Sequence, residues 1–258
     1  MNAQILRDGL LELGLPAADS LFSRLSTYIE AIETRNPTQG LVGASGDELI
    51  IKHILDSLAP LAELDRLASL ATEGRATFGR HLAGPAATPG RVEASGPKVT
   101  RPGVALPQIA RRGTILADLG SGAGLPGIPL ALARPGWDLA LIDRMTRRIR
   151  FLEEMKRILP LPNVAVLEAQ VEQSKGAYDL VTFRAFRPFE RKLFKKVFAL
   201  SAPWGFVAAY KGRREKAQAE LAEIEGLYSS AEILDVKVPL LDDERCLVVL
   251  RPATALRS

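Results

Sequence analysis

A single cysteine, Cys246, stands among 258 residues. That excludes an internal disulfide framework and any cysteine-based zinc cluster. Two histidines, His53 and His81, argue against a multi-histidine metal site as well. No apolar run approaches the roughly 18 residues that a membrane span requires. The opening MNAQILRDGLLELG also lacks the basic start and apolar stretch of a secretory signal. These absences point to a reducing, cytoplasmic setting. What is present, 47% hydrophobic and 25% charged residues, is the composition of an ordinary globular chain. Its length suits one large domain, or a medium domain with an appendage.

The formal net charge of +4 is unevenly spread. Residues 1–73 carry 5 basic and 11 acidic side chains, residues 74–113 carry 7 and 1, and residues 114–258 carry 22 and 18. The basic average therefore comes from the middle piece and is not in itself a sign of a nucleic-acid partner. The first piece reads as a helical cap. Leu21, Leu25, Tyr28 and Ile32 fall on one face of a helix that would end near Asn36-Pro37. A short helix precedes it over Ile5 to Leu13. Another follows Asp47 and Glu48, with Leu49, Ile50, Ile54, Leu58 and Leu61 on one side. The stretch 74–113 has 7 Gly and 5 Pro in 40 residues and no sustained period, which reads as a mobile insertion.

From residue 114 onward, strand and helix signals alternate. Strands are expected at 114–120, 137–143, 163–169, 178–185 and 205–211, with helices between them and a charged helix over 213–226. Such alternation predicts an α/β fold with a mostly parallel sheet covered on both faces. Two last strands, 231–238 and 245–251, have no helix between them and predict an antiparallel edge.

The sharpest local signal is DLGSGAGLPG, Asp118 to Gly127, directly after the first of these strands. Gly120, Gly122 and Gly124 let backbone approach a ligand closely. Asp143, at the tip of the next strand, can accept hydrogen bonds from ribose hydroxyls. A dinucleotide fingerprint would require glycine at the position of Leu125. Asp118 would repel a pyrophosphate and suits the ammonium of a methionine moiety. The loop thus favours S-adenosyl-L-methionine over NAD.

DLGSGAGLPGIPLAL resembles the motif of the glucose-inhibited division protein B family, the bacterial small-subunit (16S) ribosomal RNA guanine-N7 methyltransferases. Further similarities appear along the chain in the family's order: Asn36-Pro37-Thr38, His53-Ile54-Leu55-Asp56-Ser57, Asp143 with Arg147, Arg148 and Phe151, Val171-Glu172, Arg184-Ala185-Phe186, Lys211-Gly212, and Val238-Pro239 through Glu244-Arg245. The resemblance covers everything except about 74–113. It implies a Rossmann-like class I S-adenosylmethionine-dependent methyltransferase domain over 114–258, behind a 1–73 helical cap and the 74–113 insertion. It also implies cofactor contacts from Gly120, Leu125, Asp143, Val171, Glu172 and Arg184, with Arg184 nearest the reacting face. The chain departs from the family pattern at Pro37, at Gln170 and in the length of the 74–113 stretch.

Guanine N7 has a lone pair and no proton to lose, so methyl transfer to it needs positioning rather than a general base. Thr182-Phe183-Arg184-Ala185 stands where exocyclic-amine enzymes have Asn/Asp-Pro-Pro-Tyr, and Cys246 in an apolar strand reads as a structural thiol. Small-subunit ribosomal RNA is the implied partner, with no membrane and no obligate protein partner. Arg147, Arg148, Arg187, Lys211 and His53 are the candidate RNA contacts, and the basic clusters that include the first four begin at C-terminal strand ends, where ligands bind in open α/β sheets. Phe183, Phe186 and Phe189 are candidates for base stacking, with core packing the competing use. Two alternatives are a non-catalytic cofactor-sensing RNA-binding protein and, less favoured, an NAD-linked oxidoreductase.

Overall fold

Apolar spacing in the first third produces the expected helices. The computed structural model describes residues 2–17, 20–83, 113–185 and 187–253. Helix α1 (Ala3–Glu12) is capped by Asn2, whose side chain accepts from the Ile5 N–H. Helix α2 (Ser20–Gln39) buries Leu21, Leu25, Tyr28, Ile29 and Ile32, and runs through Pro37 before Gly40 takes a positive φ of 55°. The next helical stretch is composite. It begins as α3 (Gly46–Leu49), widens to a π-helix over Ile50–Leu55, and closes as α4 (Asp56–Leu58).

Helix α5 (Leu61–Ala83) moves the expected boundary at residue 73, since its last residues belong to the stretch read as a mobile insertion. Tertiary docking is the reason. Arg75 pairs with buried Asp179, and Phe78 packs against Trp204 with ring centroids 5.3 Å apart. A side chain at Gly74 would meet the Trp204 Cβ at 2.7 Å, so the glycine permits this close approach. The remainder of the expected insertion, 84–112, lies outside the described residues.

Seven strands follow: β1 (Ile115–Leu119), β2 (Asp138–Asp143), β3 (Val164–Glu168), β4 (Tyr178–Arg184), β5 (Ser201–Lys211), β6 (Tyr228–Asp235) and β7 (Cys246–Pro252). They form one sheet in the order β3-β2-β1-β4-β5-β7-β6. The first five are parallel, and β7 runs antiparallel to both β5 and β6. The last two strands thus pair as expected, with the antiparallel strand one place in from the edge. Helices α6 (Gly127–Ala133), α7 (Thr146–Ile158), α8 (Arg191–Leu200) and α9 (Arg214–Glu223) complete the layers.

Alternation along the strands separates two cores. Leu116, Leu139, Leu141 and Leu180 face α6, α7 and the cap helices. Ala117, Ala140, Val181 and Phe183 face the other way, onto Phe194 and Phe198 of α8 and Leu221 of α9. Polar ties fix the cap on its face of the sheet. Arg24 donates to the Leu159 carbonyl at 2.6 Å, Arg35 pairs with Glu154, and the Arg134 Nε meets Asp65 at 2.7 Å. Strand order reverses between β1 and β4, the place where open α/β sheets form a crevice at their carboxyl ends.

Candidate active site

The chain leaves β1 at Leu119 and turns into α6 through the glycine-rich loop. The N–H groups of Gly120 and Ser121 donate to the Ile142 carbonyl at 2.8 and 3.2 Å, tying the loop to β2. Asp118 accepts from the Gly127 N–H at 3.0 Å through Oδ2, and a side chain at Gly127 would lie 2.8 Å from that oxygen. The negative group at the start of α6 is therefore the chain's own aspartate. Asp118 is wholly buried, and its Oδ1 has no hydrogen-bond partner. Burial pushes its carboxyl up to about 7, against the opposing pull of the Gly127 N–H.

Asp143, at the tip of β2, organises the same loop. It accepts from Gly122 N–H at 2.9 Å and from Met145 N–H at 2.9 Å, and Arg148 Nη1 lies 3.4 Å away. A cleft of about 240 Å³ opens here, lined by Gly120, Asp143, Arg148, Val171, Glu172 and Arg187. Four residues expected at the cofactor thus meet in one cleft. Arg148 and Arg187, expected at RNA, line it too, and Arg187 pairs with Glu172 at 2.7 Å. Asp118, Gly122, Gly124 and Leu125 are not among its lining residues and instead build the loop behind it. Arg147 is exposed on α7 and lines neither this cleft nor the next.

An adjoining cavity of about 650 Å³ shares Ala185 and Arg187 with the cleft. His53, Asp56, Arg184, Tyr210, Lys211 and Arg245 lie on its wall. Asp56 is buried and takes Arg184 Nη1 at 2.8 Å on one oxygen and Arg245 Nε at 3.1 Å on the other. Arg184 Nη1 also donates to the carbonyls of Lys52 and His53, each at 3.2 Å, and its Nη2 faces His53 Nδ1 at 2.9 Å. The side chain expected to reach the cofactor thus clamps the π-helix of the cap. His53 and Asp56, three residues apart in the cap, are joined through Arg184. Ala185, which lines both spaces, holds a left-handed φ of 47°, a conformation that non-glycine residues adopt at a cost.

Two tyrosines complete the seam between cap and sheet. Tyr210 donates to the Ser57 carbonyl at 2.9 Å, and Tyr28 to the Ala123 carbonyl of the loop at 2.6 Å. Lys211 pairs with Glu220 and sits 4.1 Å from the Phe189 ring centroid. Phe183 and Phe189 are buried in the core, and Phe186 lies outside the described residues. Cys246 is a buried thiol against the Gly212 carbonyl, raised by that burial. Arg245, Tyr210 and Tyr28 were invisible as site residues in the sequence. Glu244-Arg245 stood among the family motifs, but no local pattern ties it to Asp56.

A mostly parallel sheet in this order, with one antiparallel strand near the edge and a glycine loop after β1 facing an acidic β2 tip, defines the Rossmann-like class I S-adenosylmethionine-dependent methyltransferase fold. Among solved structures the chain is similar to a precorrin-6y C5,15-methyltransferase from Geobacter metallireducens (13% identity, 54% of this chain and 80% of that one, TM-score 0.43). It is also similar to a tRNA (m1A58) methyltransferase from Aquifex aeolicus (12% identity, 55% and 63%, TM-score 0.45). The chain belongs to the family described as GidB, rRNA small subunit methyltransferase G, whose model matches residues 104–248. The ribosomal RNA small subunit methyltransferase G of Treponema denticola is 33% identical, over 95% of this chain and 93% of that protein. Its counterpart from Nitrosomonas europaea is 32% identical over 95% of each.

Proposed function

We propose that this chain transfers the methyl group of S-adenosyl-L-methionine to N7 of a specific guanosine in 16S ribosomal RNA, without a general base. One observation carries that reading. The described groups on the larger cavity that could take a proton are already engaged. His53 Nδ1 faces an Arg184 donor, Asp56 lies between two arginines, and Glu220 accepts from Lys211 and from the Phe189 N–H. Burial, with Arg184 and Arg245 beside it, pushes His53 down to about 4. Such a wall suits a nucleophile with no proton to lose, and guanine N7 is one.

The residues present fit the cofactor. The unpartnered, buried Asp118 Oδ1 suits an ammonium. Asp143 would take the ribose, and Val171 and Glu172 would border the adenine. When bound, the cofactor supplies a methyl group on a sulfonium. Attack by the N7 lone pair would form the C–N bond while the C–S bond breaks and its electron pair returns to sulfur, so no residue of the wall would need to move a proton. The protein's part is to hold the base in place and exclude water. Exposed Arg147, with Arg191, Lys192, Lys195 and Lys196 on α8, is placed to meet phosphates in the small-subunit ribosomal RNA.

Labelled cofactor, incubated with 16S ribosomal RNA or small subunits and followed by borohydride and aniline cleavage, tests the reading. Cleavage at one guanosine is expected. Label without cleavage would move the methyl to another atom. RNA retention without label would favour a cofactor-sensing binder.

A further inference from the structure

Resting on that reading, we propose that His53 selects the base: its Nε2–H donates to O6 of the guanine seated in the larger cavity, so that guanine rather than adenine offers N7 for methylation. The tautomer follows from the neighbour. A guanidinium has donors only, so the 2.9 Å contact between Arg184 Nη2 and His53 Nδ1 requires Nδ1 to accept. A neutral ring then carries its proton on Nε2. Arg184 is itself fixed by Asp56 and by two carbonyls of the π-helix, so its Nη2 donor stays directed at His53 Nδ1. With His53 held down to about 4, the neutral Nε2–H form persists across the physiological range.

Nε2 has no partner among the described residues, and His53 lines the cavity. Arg213 and Lys216 on that wall are solvent-exposed, while its other charged donors are committed elsewhere. Lys52 is tied to Glu48, Lys211 to Glu220, and Arg184 and Arg245 to Asp56. His53 is therefore a half-buried, uncharged donor suited to a neutral carbonyl. The Hoogsteen edge of guanine presents two acceptors, N7 and O6, whereas that of adenine presents N7 and the N6 amino donor. With N7 reserved for the methyl, position 6 alone distinguishes the two bases on that edge. A fixed donor there pairs with O6 and is left facing a donor by adenine.

Small-subunit RNA carrying guanosine, inosine or 2-aminopurine at the mapped target nucleotide separates the outcomes. Inosine keeps O6 and N7, and 2-aminopurine keeps N7 but lacks O6. The unaltered protein should methylate inosine about as well as guanosine, and 2-aminopurine about 10- to 100-fold less well in kcat/KM, the range of one buried hydrogen bond left unmade. In His53→Ala that ratio should collapse to within about threefold, through loss on guanosine alone. His53→Gln, which restores an amide donor, should recover most of the preference. With only two histidines in the chain, ¹⁵N spectra also assign the tautomer directly, and above about pH 5 His53 should carry its proton on Nε2. A proton on Nδ1, or undiminished discrimination in His53→Ala, overturns the proposal while leaving N7 transfer intact. Failure of the unaltered protein to methylate any template at N7 overturns the reading beneath it.

Discussion

The cleft at the glycine loop and the cavity beside it touch at Ala185 and Arg187, yet they are built differently. Every residue lining the cleft falls between Gly120 and Arg187, at the carboxyl ends of β1, β2, β3 and β4 or shortly beyond them. The larger cavity draws Lys52, His53 and Asp56 from the cap, Arg184 from β4 and Arg245 from the chain just before β7. One is a local product of strand ends. The other joins the cap, the β4 and β5 tips, α9 and the chain before β7 around one buried carboxylate. The cleft therefore depends on strand ends of the α/β domain alone, whereas the larger cavity requires the cap to be docked.

The largest effect should come from cutting the convergence itself. Asp56→Ala leaves Arg184 and Arg245 close together without their shared counter-charge. It should cost about 3–5 kcal/mol of stability, the range for breaking a buried ion pair from one side. Urea melts would show it, and an unchanged midpoint would mean that the carboxylate does not hold the seam. Asp143→Ala probes the local site instead. It should weaken cofactor binding by about 1–3 kcal/mol in a calorimetric titration, the scale of a charged hydrogen bond. If affinity holds, the ribose is bound elsewhere.

Asp118 adds a pH signature that the larger cavity should not share. Its carboxyl sits at about 7, and an ammonium partner needs it ionised. Cofactor affinity should accordingly fall as pH drops through about 7, by roughly several-fold between pH 7.5 and 6. Asp118→Asn should bind more weakly and flatten that profile. Ionised Asp118 also costs the free protein stability at neutral pH, a cost relieved as pH falls below about 7 because the folded form then binds the extra proton. The smallest change should follow Arg147→Ala. Losing one phosphate contact should lower the salt dependence of RNA binding by about one ion, with cofactor affinity unchanged.

Sequence spacing revealed the cleft well because its determinants are short-range. Asp118 to Gly127 follows one strand and Asp143 ends the next, so both sit at strand tips as soon as the parallel sheet is inferred. The seven strands were legible for the same reason. What stayed hidden depends on separations that no period records. Arg184 lies 128 residues from Asp56, and Arg245 lies 189 from it. The resemblance implied Arg184 at the cofactor, and a cation at a strand tip looks the same in the sequence whether it meets a ligand or a buried aspartate. The end of the cap was misplaced for a related reason. Helix α5 continues past residue 73 because Asp179 and Trp204 receive it, and neither is visible from the composition of 74–113.

The two arginines on Asp56 also set an order of events during synthesis. Chains emerge N-terminus first, and domains fold as they appear. The cap with His53 and Asp56 leaves the ribosome early, then the strand tip bearing Arg184. Arg245 arrives 61 residues after Arg184. The cleft at the glycine loop has all its lining residues long before that point. A nascent chain thus holds every residue of the cleft before it holds the finished wall of the larger cavity.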